Sequence, residues 1–204
     1  MKKQIVVFLL GLIIFANLFY FAFAQEKISE QLIVADFDSA GIPNNIGGDF
    51  GTWDYDPADE TQFCDMSFYP VAGHSVVKGN ALKLSYDVQS VRPAFNGFWM
   101  VLKGLNLEAY DKLSFWVRGD AVDGYTSRFK VELKNSEGKR AVYFVKDVTS
   151  DWGEVVIDFK RTRAITDWNN MSEFTVVFSD IVASVKTGVI YIDNISFLKE
   201  TENK

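Results

Sequence analysis

Apolar and polar residues alternate with a period of two over much of the chain. Ala81-Leu82-Lys83-Leu84-Ser85-Tyr86, Phe129-Lys130-Val131-Glu132-Leu133-Lys134 and Val155-Val156-Ile157-Asp158-Phe159 all follow it. Phe174 to Phe178 and Val189 to Phe197 are further β-branched and aromatic runs. Lys78-Gly79-Asn80, Arg118-Gly119-Asp120, Asn135-Ser136-Glu137-Gly138 and Lys186-Thr187-Gly188 punctuate them as turns. Successive strand residues point to opposite faces, and short strands separated by turns predict an all-β fold, an antiparallel sandwich or barrel. Helical periodicity is confined to one possible turn at Asn106 to Tyr110.

Parity assigns faces. Leu113, Phe115 and Val117 go to the core, leaving Ser114, Trp116 and Arg118 outside. Phe129, Val131 and Leu133 go in, while Arg128, Lys130, Glu132 and Lys134 go out. Val142 and Phe144 alternate with Tyr143 and Val145, and the count places Tyr143 outside. If these strands are neighbours, Trp116, Arg118, Lys130, Glu132 and Tyr143 share one outer surface. Such a surface suits a sugar, whose C–H faces stack on rings while its hydroxyls meet charged hydrogen-bonding groups.

The amino terminus changes the picture of where the protein works. Lys2 and Lys3 precede an apolar run from Ile5 to Phe23, and Ala22-Phe23-Ala24 ends it. A basic start, an apolar middle and an A-x-A site predict a secretory signal peptide over residues 1–24, cleaved after Ala24. The competing reading is a retained anchor, since the run is nearly long enough to span a bilayer. With cleavage, the protein is secreted or periplasmic and does not insert in a membrane. One domain is expected over residues 25–199, followed by a charged tail at 200–204. Without Lys2 and Lys3, 19 basic residues face 27 acidic ones, a net charge of −8. That charge disfavours nucleic acid and anionic lipid as partners.

One Cys and one His leave little room for zinc or for a Ser-His-Asp triad. A Gly-x-Ser-x-Gly elbow is absent, and the carboxylates are spread along strand edges and turns. The expectation is that the protein is not an enzyme. Cys64 and Trp152 read as core residues, as does Trp168, and His74 as an ordinary loop residue. Trp116 reads either as a buried aromatic or as a sugar plate, and Trp53, in Gly-Asp-Phe-Gly-Thr-Trp, as a loop residue that a ligand could meet.

Several stretches resemble one known fold family. Val34-Ala35-Asp36-Phe37-Asp38-Ser39 resembles the opening strand of the galactose-binding-like jelly rolls, and Asn45-Ile46-Gly47-Gly48 the loop after it. Gly79 to Tyr86, Tyr110 to Asp120, Ser150-Asp151-Trp152 with Val155-Val156-Ile157, and Val189 to Phe197 resemble later strands in the same order. The pattern is most similar to the family 11 carbohydrate-binding modules and to the complex I intermediate-associated proteins. It implies a two-sheet antiparallel jelly-roll sandwich.

That resemblance implies a non-catalytic module that binds a glycan or polysaccharide on its concave sheet. The alternative it implies is a protein-interaction or assembly module serving a protein partner. Ligand contacts are expected from Trp53, Tyr55, Trp99, Trp116, Arg118, Lys130, Glu132 and Tyr143. The aromatic set departs from the tyrosines that flank the family 11 cleft, so a mixed-linkage β-glucan is not implied. The resemblance also implies a structural Ca2+ held by Asp38 and Asp193, with Asn80 close by. Carboxylates and carbonyls supply the hard oxygens calcium needs, provided that the first and last strands pair. Otherwise Asp193 caps a turn and Asp38 is solvated.

Overall fold

The computed structural model describes residues 30–199. The expected signal peptide and the charged tail lie outside the described residues. Eleven strands follow in order: β1 (Glu30–Ala35), β2 (Phe50–Asp54), β3 (Phe63–Pro70), β4 (Asn80–Asp87), β5 (Phe95–Leu105), β6 (Lys112–Gly119), β7 (Phe129–Asn135), β8 (Arg140–Val145), β9 (Gly153–Asp158), β10 (Met171–Ser179) and β11 (Thr187–Lys199). The only described helical segment is the 3-10 turn Phe159–Arg161. Asn106 to Tyr110 forms a tight turn instead, closed by the Tyr110 amide on the Leu107 carbonyl.

Two antiparallel sheets stack as a jelly-roll sandwich. One has the order β3-β4-β11-β6-β9, with β1 also paired to β11, and the other has the order β2-β5-β10-β7-β8. β11 is long enough to serve two partners on one side. Its first half pairs with β4, from Thr187 opposite Asp87 to Ile192 opposite Leu82. Its second half pairs with β1, from Ile195 opposite Ala35 to Lys199 opposite Glu30.

The interior is aromatic. Tyr86 of β4 stacks on Phe178 of β10, with centroids 4.1 Å apart and planes at 12°. Phe115 of β6 meets Phe129 and Phe174 of the opposite sheet at 6.5 and 6.4 Å. Each such ring removes about 150–250 Å² from water, and a well-oriented pair adds about 0.5–1.5 kcal/mol. Leu113, Phe115, Val117, Phe129, Val131 and Leu133 are all buried, as parity required. Cys64 and Trp168 are buried as well.

Three assignments need correction. Tyr143 does not face out. It packs against the core, and its hydroxyl donates to the Phe159 carbonyl, while Val142 and Phe144 take the exposed side of β8. Burial, with Asp158 nearby, pushes its phenol upward in pKa. β6 and β7 are not neighbours but lie in different sheets, so Trp116 and Arg118 are on the opposite side of the molecule from Lys130 and Glu132. Trp152 is not a core residue; it is half-buried on the outside, beside Arg118 and His74.

Tyr143→Phe should lower stability by about 1–3 kcal/mol, because it strands the Phe159 carbonyl in a partly dry site. Denaturant melts of the two proteins measure it; equal midpoints would show that the hydroxyl contributes nothing.

Candidate functional site: a groove across the five-stranded sheet

Register sets what lines the outer face of this sheet. Gly51, Trp99, Thr175, Glu132 and Val142 stand opposite one another across β2, β5, β10, β7 and β8. The next row is Trp53, Gly97, Val177, Lys130 and Phe144. On the other side of the first row, Glu173 lies between Val101 and Lys134, which in turn faces Arg140. The β2–β5 side is therefore aromatic and the β7–β8 side ionic. Between them β10 contributes the short side chains Thr175, Val177 and Ser179.

That profile makes a trough of about 960 Å³, lined by Trp53, Phe95 and Trp99 on one side and by Lys130, Lys134 and Arg140 on the other. Gly51 explains how Trp99 lies. A β-carbon at Gly51 would come within 3.1–3.3 Å of three atoms of the indole, so the ring rests over bare backbone. Trp53 meets Phe95 edge-on at 5.9 Å, and Tyr55 stacks on the same ring at 4.0 Å. Tyr55 is more than half exposed and extends the aromatic wall.

Glu132 is almost fully buried, which a lone carboxylate would not tolerate. Arg140 Nη1 lies 3.1 Å from one of its oxygens and Lys130 Nζ 4.0 Å from the other. The three form an ion cluster whose remaining N–H donors border the trough. Trp53 Nε1 is buried with no hydrogen-bond partner among the described residues. Such a site presents apolar rings along one edge and fixed donors and an acceptor along the other.

Of the expected ligand residues, the groove brings together Trp53, Trp99, Lys130 and Glu132, with Tyr55 at its rim. Trp53 sits in β2 rather than in a loop. Trp116 and Arg118 belong to the opposite face, and Tyr143 is turned inward. Phe95, Lys134, Arg140, Glu173 and Thr175 line the groove without having been singled out as ligand contacts. The parity of Thr175 against Phe174, Val176 and Phe178 is the signal that could have placed it on the outer face.

The residues expected at calcium meet in part. β1 does pair with β11. Asp38, in the turn after β1 rather than in the strand, accepts from the Asn80 amide at 3.2 Å, and its carbonyl takes Asn80 Nδ2 at 3.2 Å. Gly79 has φ +62°, and a β-carbon there would stand 1.8 Å from Asp38 Oδ1, so only glycine lets this carboxylate in. Phe37 at φ 53° and Asn194 at φ 51° hold uncommon backbone on either side, and the register of β11 slips between Asp193 and Ser196. Asp193 is 1% exposed. Burial chiefly, together with the charges of Asp38 and Asp36, outweighs the Asn194 amide and pushes its carboxyl up to about 7. A buried acid beside two more acids fits a hard cation in charge. Among the described residues, however, no group of three or more His, Cys, Asp or Glu side chains is arranged to hold a metal. Further ligands would have to be carbonyl or amide oxygens.

No protein-family model and no curated protein matches the chain. Solved structures do. A family 11 carbohydrate-binding module from Clostridium thermocellum, in complex with a β-1,3-1,4-mixed-linked tetrasaccharide, superposes with a TM-score of 0.60 at 18% identity, covering 85% of this chain and 98% of the module. The chain has the jelly-roll fold of the carbohydrate-binding modules. A family 28 module specific for non-crystalline cellulose gives 0.51 at 16% identity over 82% of this chain and 95% of its own. An exo-β-agarase gives 0.60 at 12% identity, but the match covers 84% of this chain and only 25% of that enzyme.

In the metal-free protein, Asp193 should make stability pH-dependent. Its folded pKa of about 7 lies above the ordinary 3.8, so its contribution is full below about 4 and is lost as pH rises through 7. Melting temperatures taken in chelator from pH 4 to 8 should fall less for Asp193→Asn than for the parent; parallel curves would refute the assignment.

Proposed function

We propose that the protein is a secreted, non-catalytic glycan-binding module whose ligand lies in the groove over the five-stranded sheet. The observation that carries this reading is the division of the groove into an aromatic wall of Trp53, Phe95 and Trp99 and an ionic wall built on Lys130, Glu132 and Arg140. Sugar rings stack on the first and place hydroxyls against the second. Likeness of fold to modules that bind oligosaccharides supports the reading. Glu132 is engaged by two cations, which suits a fixed hydrogen-bond acceptor better than a proton donor in glycoside cleavage. No observation favours the protein-interaction alternative over it. The chain's export rests on its amino-terminal pattern.

Affinity electrophoresis against mixed-linkage β-1,3-1,4-glucan, agarose and amorphous cellulose tests the proposal. One polysaccharide should retard the protein with a Kd between roughly micromolar and millimolar, as open, wet sites gain little per atom. Trp99→Ala should weaken retention at least about fivefold, the loss of one stacking contact of about 1–3 kcal/mol, whereas Tyr143→Phe should leave it unchanged. Retention of none of the three, or equal retention by Trp99→Ala, would count against the groove. Release of reducing sugar would show that the protein is an enzyme.

Calcium at Asp38 and Asp193, with Asn80 beside them, is part of the same proposal. Its charge would offset the mutual repulsion of the acidic cluster. A chelator should lower the melting temperature of the parent and leave Asp193→Ala unaffected; an identical parent melt with and without chelator would remove calcium from the account.

A further inference from the structure

The outer face of the six-stranded sheet carries a second aromatic surface, assembled from parts distant in the chain. Arg118 of β6 lies opposite Tyr191 of β11, and its guanidinium carbon sits 3.9 Å from the Tyr191 ring centroid. Tyr69, at the end of β3, and Trp152, just before β9, flank the same guanidinium at 5.4 and 5.5 Å. His74, from the turn between β3 and β4, meets Trp116 at 5.1 Å and Trp152 at 6.3 Å. Its Nδ1 accepts the amides of Val76 and Val77, which fixes the ring in place.

These groups form two layers. Tyr191 is 2% exposed and acts as a support, its hydroxyl donating to Asp120 Oδ2 at 2.7 Å. Tyr69 is 40% exposed, and Trp116, Arg118 and Trp152 are half-buried, so ring faces reach solvent. The guanidinium makes one long hydrogen bond among the described residues, to the Gly119 carbonyl at 3.4 Å. Rings packed on a guanidinium accept none of its in-plane N–H groups, so beyond this bond its donors have no protein acceptor among the described residues.

Charge decides the kind of occupant. Asp120 is held below the usual carboxylate range by the Tyr191 hydroxyl and the amides of Asp123 and Val122, with Arg118 adding to the effect. Arg118 thus has an ionised carboxylate among its electrostatic neighbours, which lessens the demand for an anionic ligand. What remains is a set of ring faces beside guanidinium donors, a complement like that of the groove on the other sheet.

We propose that this aromatic and guanidinium surface is a second binding face for neutral saccharides, opposed to the groove across the sandwich, so that one chain bridges two glycan strands. The bridging half of the proposal rests on the glycan reading of the groove. The second face does not. Trp152 and Tyr69 provide the stacking surfaces, Arg118 the donors, and the thickness of the sandwich keeps the two sites from competing for one strand.

Two readouts test it on the whole chain, with soluble mixed-linkage β-glucan, agarose and amorphous cellulose as probes. The parent should bind twice the saccharide equivalents of Trp152→Ala or Tyr69→Ala, and it should cross-link a soluble polysaccharide, raising its viscosity. Trp99→Ala, altered only in the groove, should keep the half of the binding that belongs to the second face and lose cross-linking. Because Trp152 and Tyr69 lie on separate surface elements, either variant tests the face should the other lose its fold by circular dichroism. If Trp99→Ala abolishes all binding while Trp152→Ala and Tyr69→Ala bind as the parent does, the second face is refuted and the groove stands. If the parent binds none of the probes, both sites are refuted.

Discussion

Inter-sheet aromatic packing is the constraint on which everything else depends. Tyr86 against Phe178, and Phe115 against Phe129 and Phe174, lock the inner faces of the two sheets together. Phe37 and Phe50, 5.8 Å apart and at right angles, add a second aromatic cluster with Phe68 and Phe98 around them. Truncating a ring in such an interior typically costs about 3–5 kcal/mol. A one-residue slip would turn these rings to water, so register is pinned. Every alternate residue is then committed to an outer face, and both outer faces inherit aromatic and charged side chains by the same rule.

The faces differ in what lies between their aromatic and charged residues. On the five-stranded sheet, β10 sits in the centre with Thr175, Val177 and Ser179, and the long residues of its neighbours rise on either side as walls. On the six-stranded sheet the central β11 presents Tyr191, which raises the floor, and Arg118 spreads over it. One pattern hollows into a trough and the other builds a platform. A trough encloses a strand of sugar along its length; a platform meets a ring from one side.

The acidic cluster shows the same dependence on pairing. Asp38 and Asp193 are far apart in the chain and meet because β1 pairs with β11. The register of β11 slips beyond Asp193, and Asn194, at positive φ, donates its amide to the Asp193 carboxylate at 2.7 Å. Strained backbone around a buried acid persists only when its surroundings over-determine it. Gly79 adds the room, since any side chain there would strike Asp38.

Alternation is a local property, and where it was clean the sequence by itself determined the outcome: the β class, the strands β4, β6, β7, β10 and β11, and the buried rows of β6 and β7. It failed at Ala141 to Val145, where every position is apolar and parity carries no signal; the Tyr143 hydroxyl turned inward to a carbonyl 16 residues away. Around Trp53 it misled, since Gly51 read as part of a loop when it is the bed of the Trp99 indole. Which strands are neighbours was settled only by the tertiary structure. Strand pairing joins residues of large sequence separation, and nothing in the period of β6 or β7 tells which sheet either enters. The expected single surface therefore became two, and the groove and the platform are products of pairing.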